Sequence, residues 1–228
     1  MRIFPTLAGL LAATSLVLGA GCATTESHTA ITPERTASAS TAAAYRGPRS
    51  GLVVGKFDNR STYLRGMFSD GVDRLGSQAK TSLMAHLAQT GRFDLMDREN
   101  LEEIAQESKF KGEAQAIQGA DYAVTGDVTD FGRKVTGDQQ LFGILGSGKK
   151  QTAYSKVALN VIEVKTSRVL FSVQGAGEYA LDAREVLGFG SDASYDSTLN
   201  GKVLDLAIRE AVDRLVEGLE QGKWRATR

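Results

Sequence analysis

The sequence predicts a mixed α/β fold of the α+β kind, in which helices form a layer against a mixed sheet. Between residues 121 and 179 the side chains alternate with the two-residue period of a strand, and a short polar link at 165–168 is typical of a hairpin. Two other stretches, near 72–87 and 204–219, place apolar residues on one helical face. The order strand, helix, strand, helix, long strands, helix therefore indicates a layered domain.

Composition narrows the classes of function. The chain has 228 residues, of which 42% are hydrophobic and 24% charged, as in an ordinary folded domain. Lys plus Arg and Asp plus Glu both number 27, so no net positive charge favours nucleic acid as a partner. The only cysteine is Cys22, and the two histidines, His28 and His86, are far apart. These residues provide no disulfide and no ligand set for zinc or haem, so we expect no metal and no cofactor.

Residues 1–21 are predicted to be a signal peptide, because Met1 and Arg2 precede an apolar run that is too short for a resident transmembrane helix. The run ends in small residues before Cys22, which resembles a bacterial lipoprotein signal, although Gly19 stands where such signals usually carry Leu. The resemblance implies that Cys22 is acylated and becomes the mature N-terminus. Each buried methylene of the acyl chains would contribute about 0.8 kcal/mol to the anchor. A plain secretory signal with an incidental cysteine is the alternative.

Residues 22–50 are predicted to be a flexible tether, since Ala, Thr and Ser dominate them and large apolar residues are rare. His28 is interpreted as a solvated residue of this tether. Ala23, rather than Asp, follows the cysteine. By the same resemblance to lipoproteins, this favours the outer membrane.

The folded domain, residues 51–228, is predicted to begin with a buried strand at 52–57. A helix then covers about 69–90, with Ser69 or Asp70 as its N-cap and Gly91 at its end. His86 lies beside the apolar stripe of this helix and is interpreted as a surface or boundary residue. A second strand is expected at 92–96, followed by a helix that Asp97 caps and whose inward residues are Leu101, Ile104 and Ala105.

The long strands carry the clearest pattern. A strand around 157–162 is predicted to pair, through the 165–168 link, with a strand from Val169 to Tyr179. One face of the latter is apolar and small, formed by Val169, Phe171, Val173, Gly175, Gly177 and Tyr179. Residues 180–198 give no firm assignment. The last helix is predicted over about 200–221, with an apolar stripe from Leu204 to Leu219.

The glycine-rich string GILGSGKK at 143–150 is similar to a nucleotide-binding P-loop. Its lysine fits, but Lys150 stands where the magnesium-binding Ser or Thr is required, and a strand-like stretch follows instead of a helix. Nor is a Ser, His and Asp set expected to form around His86. We therefore expect no catalysis and interpret the string as a basic hairpin turn. An enzyme or nucleotide-binding protein centred on these glycines is the alternative of a different class.

Four segments together resemble one known family. They are LVVGKF from Leu52, LMAHLAQTGRFDLMDRENLEEIAQE at 83–107, GADYAVTGDV at 119–128 and VALNVIEVKTSRVLFSV at 157–173. With Cys22 and the closing helix before Trp224, they make the chain similar to the CsgG/HfaB family, the lipoproteins of curli secretion and holdfast anchoring. The resemblance covers nearly all of residues 51–224. It implies an α/β periplasmic domain, a ring of subunits in the outer membrane, and two β-hairpins per subunit that close a multi-subunit transmembrane β-barrel.

The two hairpins would map to about 126–160 and 170–195. The alternation of the second makes Val169, Phe171, Val173 and Tyr179 the candidates for its lipid-facing positions. In the first, Arg133 and Lys134 are adjacent and point to opposite faces, so that pair must lie near a membrane boundary.

A pore loop is also implied by the resemblance, because a loop before the first long helix narrows the curli channel. The candidates in this chain are Phe68, Ser69 and Asp70. The Tyr and the Asn-Phe pair that narrow the curli channel match about Gly66, Asp70 and Gly71, so the gate itself is not carried over.

The resemblance thus implies a lipoprotein on the periplasmic side of the outer membrane, whose ring supports secretion or anchoring of a cell-surface polymer or adhesin. Its partners would be the outer membrane, through the acyl anchor, other copies of the chain, and an exported surface protein or companion lipoproteins. The alternative with the same fold is a periplasmic scaffold that never inserts and acts with other small lipoproteins.

Overall fold

The computed structural model describes residues 45, 47–63, 72–139, 147–185 and 198–225, with the backbone alone at 135–139, 147–150 and 181–185. All of these residues belong to one compact unit, Arg35–Arg228. Their elements in chain order are β1 Ser50–Asn59, α1 Arg74–Thr90, β2 Phe93–Met96, α2 Leu101–Lys111, β3 Tyr122–Gln139, β4 Ser147–Glu163, β5 Val169–Glu185 and α3 Thr198–Glu220. The predicted α/β class is confirmed.

The five strands form one open sheet in the order β2-β1-β3-β4-β5. Strand β1 is parallel to β2 and to β3, whereas the β3–β4 and β4–β5 pairs are antiparallel. The sheet is therefore mixed, with the 4-residue β2 at one edge and the 17-residue β5 at the other. The predicted turn joins β4 to β5, and within it Ser167 adopts a left-handed φ of 59°.

Helices α1 and α3 cover one face of this sheet. Alternation along β4 turns Val157, Leu159 and Val161 toward the helices, where they are fully buried, and turns Tyr154 and Lys156 toward solvent. The facing helical residues, also fully buried, are Ala79, Leu83 and Leu87 of α1 and Leu204, Ala207, Ile208, Ala211 and Leu215 of α3. Each buried Leu contributes roughly 1.5–3 kcal/mol, so this helix–sheet layer is the main apolar source of stability.

Strand β5 and helix α3 approach each other backbone to backbone. A Cβ added at Gly175 would lie 2.1 Å from the Ala207 carbonyl oxygen and 2.5 Å from the Ala211 nitrogen. A Cβ at Gly177 would lie 2.9 Å from the Val203 carbonyl oxygen. The small face predicted on this strand is thus the seat of α3, and glycine is required where the two backbones meet.

Helix α1 begins later than predicted. The Asp73 carboxylate accepts a hydrogen bond of 2.8 Å from the Gly76 nitrogen, so Asp73 is the N-cap and the assignment of Ser69 or Asp70 as the cap is wrong. Val72, just before the cap, is exposed rather than part of the apolar stripe. Gly91 ends the helix in a left-handed conformation, as predicted.

Helix α2 differs from its prediction at its start and on its faces. Asp97 accepts hydrogen bonds from the backbone nitrogens of Glu99 and Asn100 and from the Asn100 side chain, so it forms a turn before the helix and does not cap it. These bonds, led by that from the Asn100 side chain, lower the pKa of Asp97. No residue of α2 is buried, and Ile104, predicted to point inward, is exposed.

The end of α3 closes the core. Gly222, with a φ of 69°, donates to the Leu219 carbonyl, and Lys223 donates to the Gly218 carbonyl, which together form a Schellman motif. The chain then turns back, and Trp224 packs against Phe93 and edge-on against Tyr122 at centroid distances of 6.1 and 5.2 Å. The predicted last helix is confirmed, and its closing tryptophan belongs to the core.

Candidate functional site

Several predicted site residues lie outside the described residues. These are Cys22 and the pore-loop candidates Phe68, Ser69 and Asp70. The described residues nevertheless include both ends of the segment 64–71.

The four hairpin candidates do not form one lipid-facing row. Phe171 and Val173 are half-buried against the core, and a Cβ added at Gly218 of α3 would lie 2.5 Å from the Phe171 ring. Their assignment as lipid-facing residues is wrong in this subunit, because glycines on β5 let α3 approach closely and cover this face. Val169 is exposed at the start of β5, and the Tyr179 ring lies 5.4 Å from the Lys202 amine.

The two ends of the segment 64–71 are tied together. The Asn59 nitrogen donates to Asp73 Oδ2 at 2.5 Å, while the other oxygen of that carboxylate caps α1. The Asn59 amide also donates to the Tyr63 carbonyl at 2.9 Å. Asp73 therefore has two functions, since it starts the helix and closes the base of the predicted pore loop.

The same region connects to the strands. The Tyr63 ring packs 4.7 Å from the Phe131 ring, and the Tyr63 hydroxyl accepts a hydrogen bond of 2.8 Å from Asn200 in the first turn of α3. Arg133 Nε donates to the Asn200 side-chain oxygen at 2.9 Å. We call Asn59, Tyr63, Asp73, Arg133 and Asn200 the loop-base cluster. It links β1, α1, β3 and α3 at the two ends of the segment 64–71.

Three strands continue past the loop-base cluster. Strands β3, β4 and β5 stay paired without a register shift over residues 134–139, 147–152 and 180–185, beyond Arg133 and Tyr179. The pairing ends where Gln139 lies opposite Ser147 and Ser147 lies opposite Glu185. We call these three segments the projecting strands. At about 3.3 Å per residue, each of them is roughly 20 Å long. Residues 147–150 of the glycine-rich string are strand here, and a P-loop requires a helix at this place.

Strand β5 leaves its outer edge open among the described residues. Part of that edge is protected, since Arg214 of α3 donates to the Gln174 carbonyl oxygen at 3.1 Å. An unprotected edge of this length is a template for pairing with another strand.

The interpretation of His86 as a surface or boundary residue is wrong. It is buried, and its Nε2 lies 2.9 Å from Asp205 Oδ1 of α3, an oxygen that also accepts a hydrogen bond from the Ser82 hydroxyl. A Ser, His and Asp set therefore does form, contrary to expectation. It is not a catalytic relay, because serine and histidine both contact the carboxylate and His86 Nδ1 meets no partner atom among the described residues.

This set stabilises the contact between α1 and α3. Burial alone would raise the pKa of Asp205, but hydrogen bonds from His86 and Ser82, together with electrostatic attraction to His86 and Arg209, lower it. The spacing of Ser82 and His86, four residues apart on one helix, was the available signal in the sequence. The partner on α3 could not be identified from local pattern.

The described residues offer neither a metal site nor a helix that could cross a membrane. No group of three or more His, Cys, Asp and Glu there could hold a metal ion. None of the helices in that part of the chain is long and apolar enough to cross a membrane.

Comparison with known proteins gives a consistent set of relatives. The family model described as "Curli production assembly/transport component CsgG" matches residues 38–227. A protein of Neisseria meningitidis serogroup B, named "Putative lipoprotein NMB1126/NMB1164", is 57% identical over 219 residues, which cover 96% of each chain.

Two solved structures are similar at lower sequence identity. The PelC dodecamer from Paraburkholderia phytofirmans has a TM-score of 0.35 and 17% identity, covering 73% of this chain and 86% of that one. Lipoprotein GNA1162 from Neisseria meningitidis has a TM-score of 0.36 and 14% identity, covering 76% of this chain and 99% of that one.

Proposed function

The chain belongs to the CsgG family, and from that premise we propose that it is a lipid-anchored outer-membrane protein whose subunits form a ring. The ring supports secretion or anchoring of a cell-surface polymer or adhesin, in keeping with a family described by curli assembly and transport. The 57% identical relative, itself named as a lipoprotein, supports the acyl anchor at Cys22.

The observation that carries the proposal is the open sheet with its projecting strands. Three paired strands extend about 20 Å past the loop-base cluster, and the sheet ends at the long open edge of β5. A neighbouring subunit can extend the sheet along this edge by pairing its own first projecting strand with β5. Repetition of one such head-to-tail contact closes a ring when the rotation per subunit divides the circle.

Chain length permits both a membrane anchor and insertion of the projecting strands. Tyr45 lies beneath Arg92, which is bonded to Glu220 near the end of α3, so the tether enters the domain opposite the projecting strands. Residues 22–44 reach at most roughly 80 Å when extended, and the 10-residue β1 is about 33 Å long. The acyl anchor can therefore share a membrane with the projecting strands.

Insertion into the membrane requires the strands of the hairpins to be long enough to span it. A spanning strand has about 9–11 residues, more than the described length of each projecting strand. Residues 140–146 and 186–197 would have to extend the strands across the bilayer. The odd positions of β5 from 171 to 177 face the core and α3, so any lipid-facing row must lie beyond Tyr179.

The experiment combines conductance with labelling of single cysteines in the full-length acylated protein. Cysteines at 181 and 183 should differ from those at 182 and 184 in reactivity to lipid-phase and aqueous thiol probes, since alternate positions face opposite sides. Purified protein should give stepwise conductance in planar bilayers. Aqueous labelling at all four positions, together with no conductance, would contradict an inserted ring.

A further inference from the structure

The outer face of α2 carries an aromatic side chain among acidic ones. Phe110 is 74% exposed and lies nine residues after Leu101, which at about 100° per residue places it opposite the half-buried stripe of Leu101, Ala105 and Ser108. Glu103 and Glu107, seven and three residues earlier, lie on the same outer face. We call Glu103, Glu107 and Phe110 the α2 patch. Burial within the subunit does not account for a phenylalanine at this position.

The turn between β4 and β5 has the opposite character. Val164 and Val169 are 49% and 57% exposed, and Lys165 and Arg168 lie exposed between them. Backbone hydrogen bonds from Glu163 to the Arg168 carbonyl, at 2.9 Å, and from Ser167 to the Glu163 carbonyl, at 2.8 Å, fix the turn. We call Val164, Lys165, Arg168 and Val169 the turn patch.

The charged side chains of both patches have no ion-pair partner among the described residues. None of Glu103, Glu107, Lys165 and Arg168 forms an ion pair with another described residue. Other surface charges do pair, as Arg60 with Asp127 at 2.6 Å. Two apolar surfaces with opposite charged rims thus coexist on one chain, and the charge complementarity indicates that one can bind the other.

The topology places the patches next in the chain to opposite edge strands of the sheet. The segment with α2 leaves the sheet after Met96, paired with Val53, and rejoins it at Tyr122, paired with Leu52. The turn patch follows Glu163, which pairs with Tyr122. Helix α2 follows edge strand β2, whereas the turn patch leads into the other edge strand, β5. Two different but complementary surfaces on one subunit generate a head-to-tail contact, the type that closes rings.

We propose that the α2 patch of one subunit docks on the turn patch of the next copy of this chain, an inference that rests on the proposed ring. Phe110 inserts between Val164 and Val169, and the two glutamates face Lys165 and Arg168. A buried phenylalanine of about 150–250 Å² supplies the anchor, and the opposite charges fix partner choice and register. The turn patch follows Glu163, which pairs with Tyr122 at the end of β3 remote from the projecting strands, so this contact is separate from strand pairing.

Charge reversal tests this docking in the full-length protein extracted into detergent. The variant E103K/E107K and the variant K165E/R168E should each lose the ring and sediment as single subunits, because like charges then face each other. The combined variant with all four substitutions should regain the wild-type mass, since every contact again pairs opposite charges. A mixture of the two double variants should also regain it. The control K223E/R225E reverses two exposed charges elsewhere and should leave the ring intact.

A variant that should leave the stability of the fold unchanged provides a second measurement. Phe110→Ala removes an exposed side chain and should weaken subunit association on the order of 30-fold, as for a central interface anchor, without lowering the melting temperature. Both double variants retaining the ring would overturn the docking and leave the ring standing. Wild-type protein that is monomeric in detergent would instead overturn the proposed function. A photo-crosslinker in place of Phe110 that joins only to a different polypeptide would assign this patch to another partner and overturn self-docking.

Discussion

Substitution of Gly175 by alanine should strongly destabilise the contact between β5 and α3. The new Cβ would lie 2.1 Å from the Ala207 carbonyl oxygen and 2.5 Å from the Ala211 nitrogen. Both obstacles are backbone atoms of a buried helix, so the strand and helix must separate by about 1 Å. Overpacking usually costs about 1–3 kcal/mol, and we expect the upper end, because no side chain can rotate away. For a domain of this size that corresponds to a fall in melting temperature of roughly 6–12 °C.

Matched glycines make this prediction quantitative. Gly177→Ala should cost less, since its Cβ would approach the nearest atom to 2.9 Å, and Gly119→Ala should be neutral within about 0.5 kcal/mol, since nothing lies within 4 Å. Thermal and denaturant unfolding of the chain expressed from Ala23 onward, at one protein concentration, would rank the three variants. A melting temperature for Gly175→Ala equal to that of Gly119→Ala would refute the close approach of β5 and α3.

Three further predictions concern the anchor, the core and the interhelical carboxylate. Cys22→Ala should abolish incorporation of a palmitate analogue in cells, and equal labelling of wild type and variant would exclude acylation. Leu215→Ala, at a fully buried position whose carbonyl accepts the Trp224 indole N–H at 3.1 Å, should cost about 2–5 kcal/mol in denaturant unfolding; an unchanged midpoint would mean that the stripe is not buried. The pKa of Asp205 is lower in the folded than in the unfolded chain. The ionised Asp205 carboxylate therefore stabilises the folded chain above the unfolded-state pKa, and this stabilisation is lost as pH falls through the folded-state pKa. Asp205→Asn should therefore flatten the acid limb of the stability profile, and an unaltered acid limb would show that this carboxylate is not coupled to folding.

The parts of the fold that follow local pattern could be predicted from sequence. Alternation around 157–162 predicted a strand there, because each residue's direction depends only on the pleat, and Val157, Leu159 and Val161 form its buried face in the structure. The helix ending at Gly91 was predictable since a left-handed C-cap favours glycine. The small face of β5 could also be predicted from the sequence. That α3 packs on this face could not, because the contact depends on packing between distant segments.

The errors share a physical origin in contacts that are distant along the chain. Local pattern places His86 at the surface, because its partner, Asp205, lies 119 residues away. The predicted start of α1 is wrong because several polar residues precede the helix, and the sequence does not show that Asp73 is the one that bonds both Gly76 and Asn59. Phe171 and Val173 alternate as a lipid-facing strand would, but the covering helix decides which side of that alternation is buried.

Electron microscopy of the full-length protein extracted in mild detergent tests the proposed ring most directly. Class averages should show closed rings with a constant number of subunits, and native mass measurement should give the same whole multiple of the subunit mass. Particles of single-subunit size at every protein concentration, with Cys22 acylated and the domain folded, would contradict the proposed ring.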